Sequence, residues 1–226
     1  MYDKGILSDK VAEYIRTMIN ENDLRPGDKL PNEIELTSII NVSRSTIREA
    51  IKILVSTNVL EVKRGKGTFV TANPGVSKDP LGVQFMEDDN YLAHFFEMRL
   101  IIEPKMIELA VLRASDEDVK VIEEAYDKVE AAIKSGVNHM LPDIHFHNAI
   151  AKASKNPIME RIIPIINNGI EGGYTKTKDN PEVSEIVIVQ HAEIMKYINE
   201  RNGEEARLAM ERHIQYGYSR VKNLKK

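Results

Sequence analysis

Apolar residues recur at helical spacing in three stretches near the start of the chain. The first runs from Leu7 to about Asn20 and is stopped by the turn residues Pro26-Gly27-Asp28. The second begins near Asn32, where Glu35 three residues later completes a capping-box pattern. The third runs from the N-cap residue Ser43 to about Thr57. The pattern therefore predicts three short helices.

Two short strands follow the third helix. They cover 60–63 and 68–70, and the segment Arg64-Gly65-Lys66-Gly67 joins them through a glycine-rich turn. Three helices and a hairpin with a basic tip are typical of a winged helix-turn-helix, which we expect over residues 1–72.

The rest of the chain is predicted to be helical. Residues 73–89 are rich in Pro, Gly and Ser near their start and are interpreted as a linker. From residue 90 to 226 there is no strand alternation, and the pattern predicts an all-α helical bundle. Its helices are expected at about 90–113, 116–135, 138–154, 157–172, 182–200 and 204–222. The predicted fold class is therefore mainly α, with two domains.

Composition excludes several classes of protein. The chain has 226 residues, a net charge of −4 and no cysteine, so it has neither disulfides nor thiolate metal sites. No apolar run is long enough to span a membrane, and the N-terminus lacks the pattern of a signal peptide. We therefore expect a cytoplasmic protein.

The local distribution of charge indicates nucleic-acid binding, although the net charge of the whole chain does not. Residues 1–72 carry 11 Lys and Arg against 10 Asp and Glu, whereas the remainder carries 20 against 25. On the third helix, Arg44, Arg48 and Lys52 are spaced by four residues and form one cationic ridge. One basic face is enough for phosphate contact.

The third helix is placed to read DNA. The N-terminal residues of a recognition helix lie nearest the base edges, so Arg44 and Arg48 are candidates for guanine or phosphate contacts. The hydroxyls of Ser43, Ser45 and Thr46 suit phosphate oxygens, and the wing tip of Arg64, Gly65 and Lys66 suits an adjacent backbone or minor groove. The alternative is a solvated basic helix beside a surface hairpin.

Polar residues interrupt the apolar stripes of three later helices. Asp143 and His147 stand one turn apart on one helix, while His191 and His213 interrupt two others. A carboxylate facing a core is costly unless it is paired or bound to a cation. One Asp and three His suit zinc, with nickel or manganese as alternatives. The competing interpretation is that each is a hydrogen-bonded core histidine or an aspartate at a helix start.

Arg99 lies on an apolar stripe of the first bundle helix. An inward guanidinium there is a candidate for binding the carboxylate of a small effector. Its alternative role is an intrahelical ion pair with Glu103.

From about Ile6 to Val70 the chain resembles the DNA-binding domain of the GntR superfamily of bacterial repressors. The motifs PGDKLPNE, VSRSTIREA and GKGTFV carry the resemblance. It implies that Arg44 and Arg48 are recognition-helix contacts and that Arg64, Gly65 and Lys66 are wing contacts. Ile34 departs from the pattern, because several members carry an arginine there.

From about Asp89 to Lys222 the chain resembles the FCD ligand-binding domain of the FadR-like branch. The marks are FEMRLIIEP, DIHFHNAIAKASKN, QHAEIM and MERHI. The resemblance implies that Asp143, His147, His191 and His213 are metal ligands. It also implies effectors such as sugar acids, hydroxy acids like lactate, or citrate-like acids.

We therefore expect an allosteric regulator, and a repressor in particular. A homodimer would bind a pseudo-palindromic DNA operator, and a small carboxylate effector at a divalent metal site would change its affinity for DNA. The alternatives are a metal-dependent enzyme acting on a small acid and a DNA-binding protein without an effector.

Overall fold

The computed structural model of the chain forms two compact units, Met1–Pro80 and Leu81–Lys226. It describes residues 4–77, 79–86, 90–174 and 181–223. Within the segment interpreted as a linker, Lys78 and residues 87–89 lie outside the described residues.

The first unit has three helices followed by a hairpin. The helices are α1 (Lys4–Glu21), α2 (Glu33–Ile40) and α3 (Arg44–Ser56). Strands β1 (Leu60–Lys63) and β2 (Gly67–Val70) pair antiparallel, with Leu60 opposite Val70 and Lys63 opposite Gly67. This is the predicted winged helix-turn-helix.

Side-chain caps set the ends of the two central helices. The Asn32 side chain accepts bonds from the backbone of Ile34 and Glu35, and the Glu35 carboxylate accepts one from the Asn32 backbone. Ser43 caps α3 by accepting from the Thr46 backbone. Both caps satisfy N–H groups that a helix start otherwise leaves unpaired.

The core of the first unit is formed by all three helices and the hairpin. Its fully buried members include Ile15, Leu36 and Leu54. By their spacing Tyr14 and Val55 belong to the apolar stripes of α1 and α3, but they are 49% and 40% exposed. They lie at the edge of each stripe, where the helix surface turns towards solvent.

The second unit is helical throughout its described residues. After a short 3-10 turn at Val83–Phe85, its helices are α4 (Tyr91–Arg113), α5 (Asp116–Lys134), α6 (Met140–Ala153), α7 (Pro157–Tyr174), α8 (Pro181–Asn199) and α9 (Gly203–Asn223). The predicted all-α bundle is therefore confirmed. None of the described helices combines the length and hydropathy that crossing a bilayer requires.

Helices α4 and α9 run antiparallel and pack closely. Near one end the Tyr218 hydroxyl donates to the Glu97 carboxylate over 2.5 Å. Near the other, Gly203 lies beside Glu108. The contact brings the start of α4 to the end of α9.

Glycine allows α7 to approach α4. A Cβ placed on Gly169 would lie 2.2 Å from Cζ of Phe95, whose side chain is buried in the bundle core. Since interiors are packed as densely as crystals, the ring has little room to move aside.

We predict that Gly169→Ala lowers the free energy of unfolding by about 1–3 kcal/mol, because it overpacks the core against Phe95. The control is Gly203→Ala, where the added Cβ meets its nearest heavy atom at 3.4 Å. Urea denaturation followed by circular dichroism measures both. Equal stability of the two variants would contradict the assigned packing.

Candidate functional site

The cationic ridge of α3 is on the surface. The side chains of Arg44, Arg48 and Lys52 are exposed, while Ile47 on the opposite face is fully buried. At the start of the helix the Ser43 hydroxyl lies 2.8 Å from those of both Ser45 and Thr46. The sequence-predicted hydroxyls and guanidiniums are thus grouped at one exposed helix end.

Arg48 is held by a residue that the sequence reasoning missed. Its Nε donates to Oε2 of Glu33, at the start of α2, over 2.8 Å. Because this bond uses Nε, the two terminal nitrogens can still form the two-pronged donor that fits guanine. The neighbouring Ile34 is 58% exposed, so an apolar side chain lies on the surface beside Glu33.

The wing tip is a three-residue loop with exposed side chains. The Lys66 backbone donates to the Lys63 carbonyl, and Gly65 has a φ of +73°, which favours glycine. Arg64, Gly65 and Lys66 are all exposed. The loop therefore presents two cations on a fixed turn.

In the second unit the four predicted metal-binding residues come together. Asp143 and His147 project from α6, His191 from α8 and His213 from α9. One potential ligand atom from each lies within 4.8 Å of those of the other three. His191 Nε2 is 3.2 Å from an Asp143 oxygen, and His147 Nε2 is 3.8 Å from the other.

Burial and the contacts within the cluster together favour the protonation states that metal binding needs. The side chains of His147 and His191 are fully buried, and that of Asp143 is 20% exposed. Burial lowers the pKa of His191 and lowers that of His213 further. Burial by itself would raise the pKa of Asp143, but the neighbouring imidazoles hold it well below its usual value. Neutral imidazoles and an ionised carboxylate are the ligand forms.

Two side chains behind the cluster orient its histidines. His147 Nδ1 lies 2.5 Å from Glu103 Oε2, and His213 Nδ1 lies 3.2 Å from Gln190 Oε1. Both contacts assign the proton to Nδ1, because an ionised carboxylate or an amide oxygen can only accept. In each ring the lone pair then belongs to Nε2, the nitrogen available to the cluster.

Several buried nitrogens of the cluster form no hydrogen bond with any described residue. These are Nε2 of His147 and both ring nitrogens of His191, although His191 Nε2 approaches Asp143 as given above. A buried polar atom without a partner costs about 1–3 kcal/mol. A divalent cation bound by Nε2 of His147 and by one ring nitrogen of His191 removes that cost at those two atoms, so the residues fit a metal.

Glu103 is a second residue that the sequence reasoning missed. It is fully buried, and its carboxylate binds Arg99 Nε over 2.6 Å as well as His147. Burial raises its pKa, but the charge of Arg99 and the hydrogen bonds with His147 and Arg99 outweigh this and lower it to about 2. The rule that selected Asp143, a charge on an apolar stripe, would have selected Glu103 too.

A pocket with a cavity volume of about 60 Å³ adjoins the cluster. Asp143, His213 and Arg99 line it, and Arg99 is only 4% exposed, so the expectation that it faces inward holds. The alternative pairing with Glu103 is also present, through the Nε of Arg99. His139 lines the pocket as well.

Two family descriptions match the chain. The family described as "Bacterial regulatory proteins, gntR family" matches residues 7–70, and the "FCD domain" matches residues 94–216.

Relatives match over nearly the whole chain. The HTH-type transcriptional repressor NanR of Cronobacter sakazakii is 26% identical, over 92% of this chain and 82% of that protein. A putative L-lactate dehydrogenase operon regulatory protein of Escherichia coli is 29% identical, over 96% of this chain and 86% of that protein. A solved structure described as Streptococcus agalactiae GntR is 36% identical. The match covers 94% of this chain and 99% of that chain, and the two superpose with a TM-score of 0.82.

Proposed function

The chain belongs to the GntR family of DNA-binding transcription regulators and carries the family's FCD effector-binding domain, and on this premise we propose that it is a repressor controlled by a small carboxylate at a metal site. The observation that carries the proposal is the buried cluster of Asp143, His147, His191 and His213 beside a pocket. Operator affinity would depend on what occupies that pocket.

The DNA-binding surface is assigned to α3 and the wing. Arg44 and Arg48 would contact base edges or phosphates, with Ser43, Ser45 and Thr46 on phosphate oxygens and Arg64, Gly65 and Lys66 on the adjacent backbone or minor groove. The exposure of Ser43, Arg44, Ser45, Arg48 and the wing-tip residues supports this assignment, and Thr46 is partly exposed. Glu33 would position Arg48 through its bond to Nε.

A homodimer acting in the cytoplasm is part of the proposal. Two copies present two recognition helices, which suits a pseudo-palindromic operator. Residues 1–72 would bind DNA, residues 73–89 would link the domains, and residues 90–226 would bind metal and effector and mediate dimerisation.

The donor set favours a first-row divalent ion. Three imidazoles and one carboxylate suit zinc, and also nickel or manganese. A bound cation of this kind supplies a Lewis-acidic centre with room for a carboxylate oxygen. Glu103 and Gln190 would hold His147 and His213 with Nε2 towards the centre.

A small carboxylate suits the pocket that adjoins this centre. Arg99 can donate from its terminal nitrogens to an acid while Nε stays on Glu103, since a guanidinium has five N–H groups. One relative is named for an L-lactate dehydrogenase operon, and lactate is such an acid. To act as an effector, the acid must bind the DNA-competent and DNA-released states with different affinity, typically by about 1–3 kcal/mol.

The two alternatives are less well supported. The matched relatives are named as transcription regulators rather than enzymes. A DNA-binding protein without an effector would leave the buried nitrogens of the cluster without a role.

We predict that Arg48→Ala weakens binding to operator DNA, selected from a random pool with the unaltered protein, by about 1–3 kcal/mol and relaxes preference at one base pair. Gel shifts at matched salt measure both effects. Arg25→Ala removes a cation from a loop of the same unit and should leave the base preference unchanged. Unchanged affinity in Arg48→Ala would refute its role.

We predict that His147→Ala combined with His213→Ala abolishes metal binding and the response to effector acids while DNA binding persists. Elemental analysis after metal-replete purification measures metal binding. Gel shifts measure DNA binding and its response to effector acids. His145→Ala is the control, because His145 is exposed on the same helix. Circular dichroism establishes that the double variant is folded. If the folded double variant still responds to acids, the metal is not part of effector sensing.

We predict that Glu103→Gln lowers zinc affinity about 10–100-fold, since an amide is a weaker acceptor for the His147 Nδ1 proton. Competition with a chromophoric chelator measures the affinity. Glu97→Gln on the same helix serves as the control, because Glu97 binds Tyr218 instead. Equal zinc affinity in the two variants would contradict an orienting role for Glu103.

A further inference from the structure

The pocket beside the metal cluster is small. Its cavity volume of about 60 Å³ has room for roughly two to four water-sized groups. A citrate-like acid or a six-carbon sugar acid needs several times that space. We propose that the effector is a monocarboxylate with two or three carbons, and that Val187 is the specificity-determining residue that sets this limit. The inference rests on the proposed function and specifies its ligand class.

Buried apolar side chains from four helices line the pocket. They are Phe96 on α4, Ile144 on α6, Ile170 on α7 and Val187 on α8. Because protein interiors are close-packed, side chains held in this way yield little to a larger ligand. A chain that is too long for the cavity must therefore displace them, which costs binding free energy.

The cluster determines which end of the acid is charged. Asp143 and His213 belong to the cluster and also line the pocket, so the carboxylate is expected on their side. The rest of the ligand then meets the apolar wall, where burying a second charge is costly. The lining guanidiniums of Arg99 and Arg220 already interact within the chain, so neither calls for a second anion. A methyl group is therefore expected at the other end.

Val187 is placed to limit the length of the ligand. It precedes His191 by four residues on α8, so the two side chains lie on one face of the helix, one turn apart. It is thus an apolar lining residue next to a member of the cluster. Adding or removing methyl groups at this position changes the cavity without altering any cluster residue.

The experiment measures acids of increasing length by isothermal titration calorimetry on the full chain loaded with zinc. One series carries a 2-hydroxyl group and consists of glycolate, lactate, 2-hydroxybutyrate and 2-hydroxyhexanoate. The other consists of acetate, propionate, butyrate and hexanoate. In at least one series we expect the affinity to fall about tenfold from three carbons to four, because the added carbon overpacks the cavity. Citrate and gluconate should bind more weakly than lactate by at least the same factor.

Pairs of similar size test the apolar end. Malonate and tartronate carry a second carboxylate where propionate and lactate carry a methyl group. We expect the methyl acid of each pair to bind about tenfold more tightly, because the wall offers the second charge no hydration.

Variants assign the length limit to Val187. Val187→Ala enlarges the cavity, so the four-carbon acid should bind about as tightly as the three-carbon acid. Val187→Ile adds a methyl group and should weaken the three-carbon acid about tenfold relative to the two-carbon acid. Val189→Ala is the matched control, because Val189 is on the same helix but is 67% exposed, and it should keep the original preference. Circular dichroism and zinc content establish that each variant is folded and loaded.

The outcomes separate the two proposals. Longer acids or dicarboxylates that bind as tightly as the short monocarboxylates overturn the inference and leave the proposed function intact. A length preference that neither Val187 variant changes does the same. If no acid of any length binds to the zinc-loaded protein, the proposed function fails and the inference fails with it.

Discussion

The second unit depends on keeping charged and polar groups in an apolar core. Isolated buried charges are unstable, so each must be paired or bound to a cation. Glu103 meets this need on one side, since its carboxylate lies between Arg99 and His147 and all three are almost fully buried. On the other side, the unbonded imidazole nitrogens are grouped with Asp143. The polar network thus has one satisfied end and one end prepared for a ligand.

Much of the fold could be predicted because its determinants are local. The ends of α2 and α3 follow from Asn32 and Ser43, whose side chains bond backbone groups only two or three residues away. The grouping of the cluster was also predictable, since a polar residue on an apolar stripe has to face the interior. The exposed Tyr14 marks the limit of this reasoning, because spacing alone does not say where a buried face ends.

What could not be predicted depends on contacts between elements. Glu33 and Arg48 are fifteen residues apart and meet only because α2 packs beside α3. Arg220 has ordinary helical neighbours in the sequence, and its place in the pocket depends on how α9 lies against α4. Glu103 was accessible to the stripe rule, but its spacing from Arg99 suggested a weak surface pair. Because the pair is buried, Glu103 instead supports the cluster through its contact with His147.

The order of the cluster residues along the chain has a consequence for synthesis. Domains fold as units while the chain leaves the ribosome, and the DNA-binding unit precedes the bundle. Asp143 and His147 emerge together, but the fourth donor, His213, belongs to α9 and is translated seventy residues after Asp143. A nascent chain can therefore hold a finished DNA-binding unit before its sensor is complete. Translation time thus separates the folding of the DNA-binding unit from the grouping of the four cluster residues.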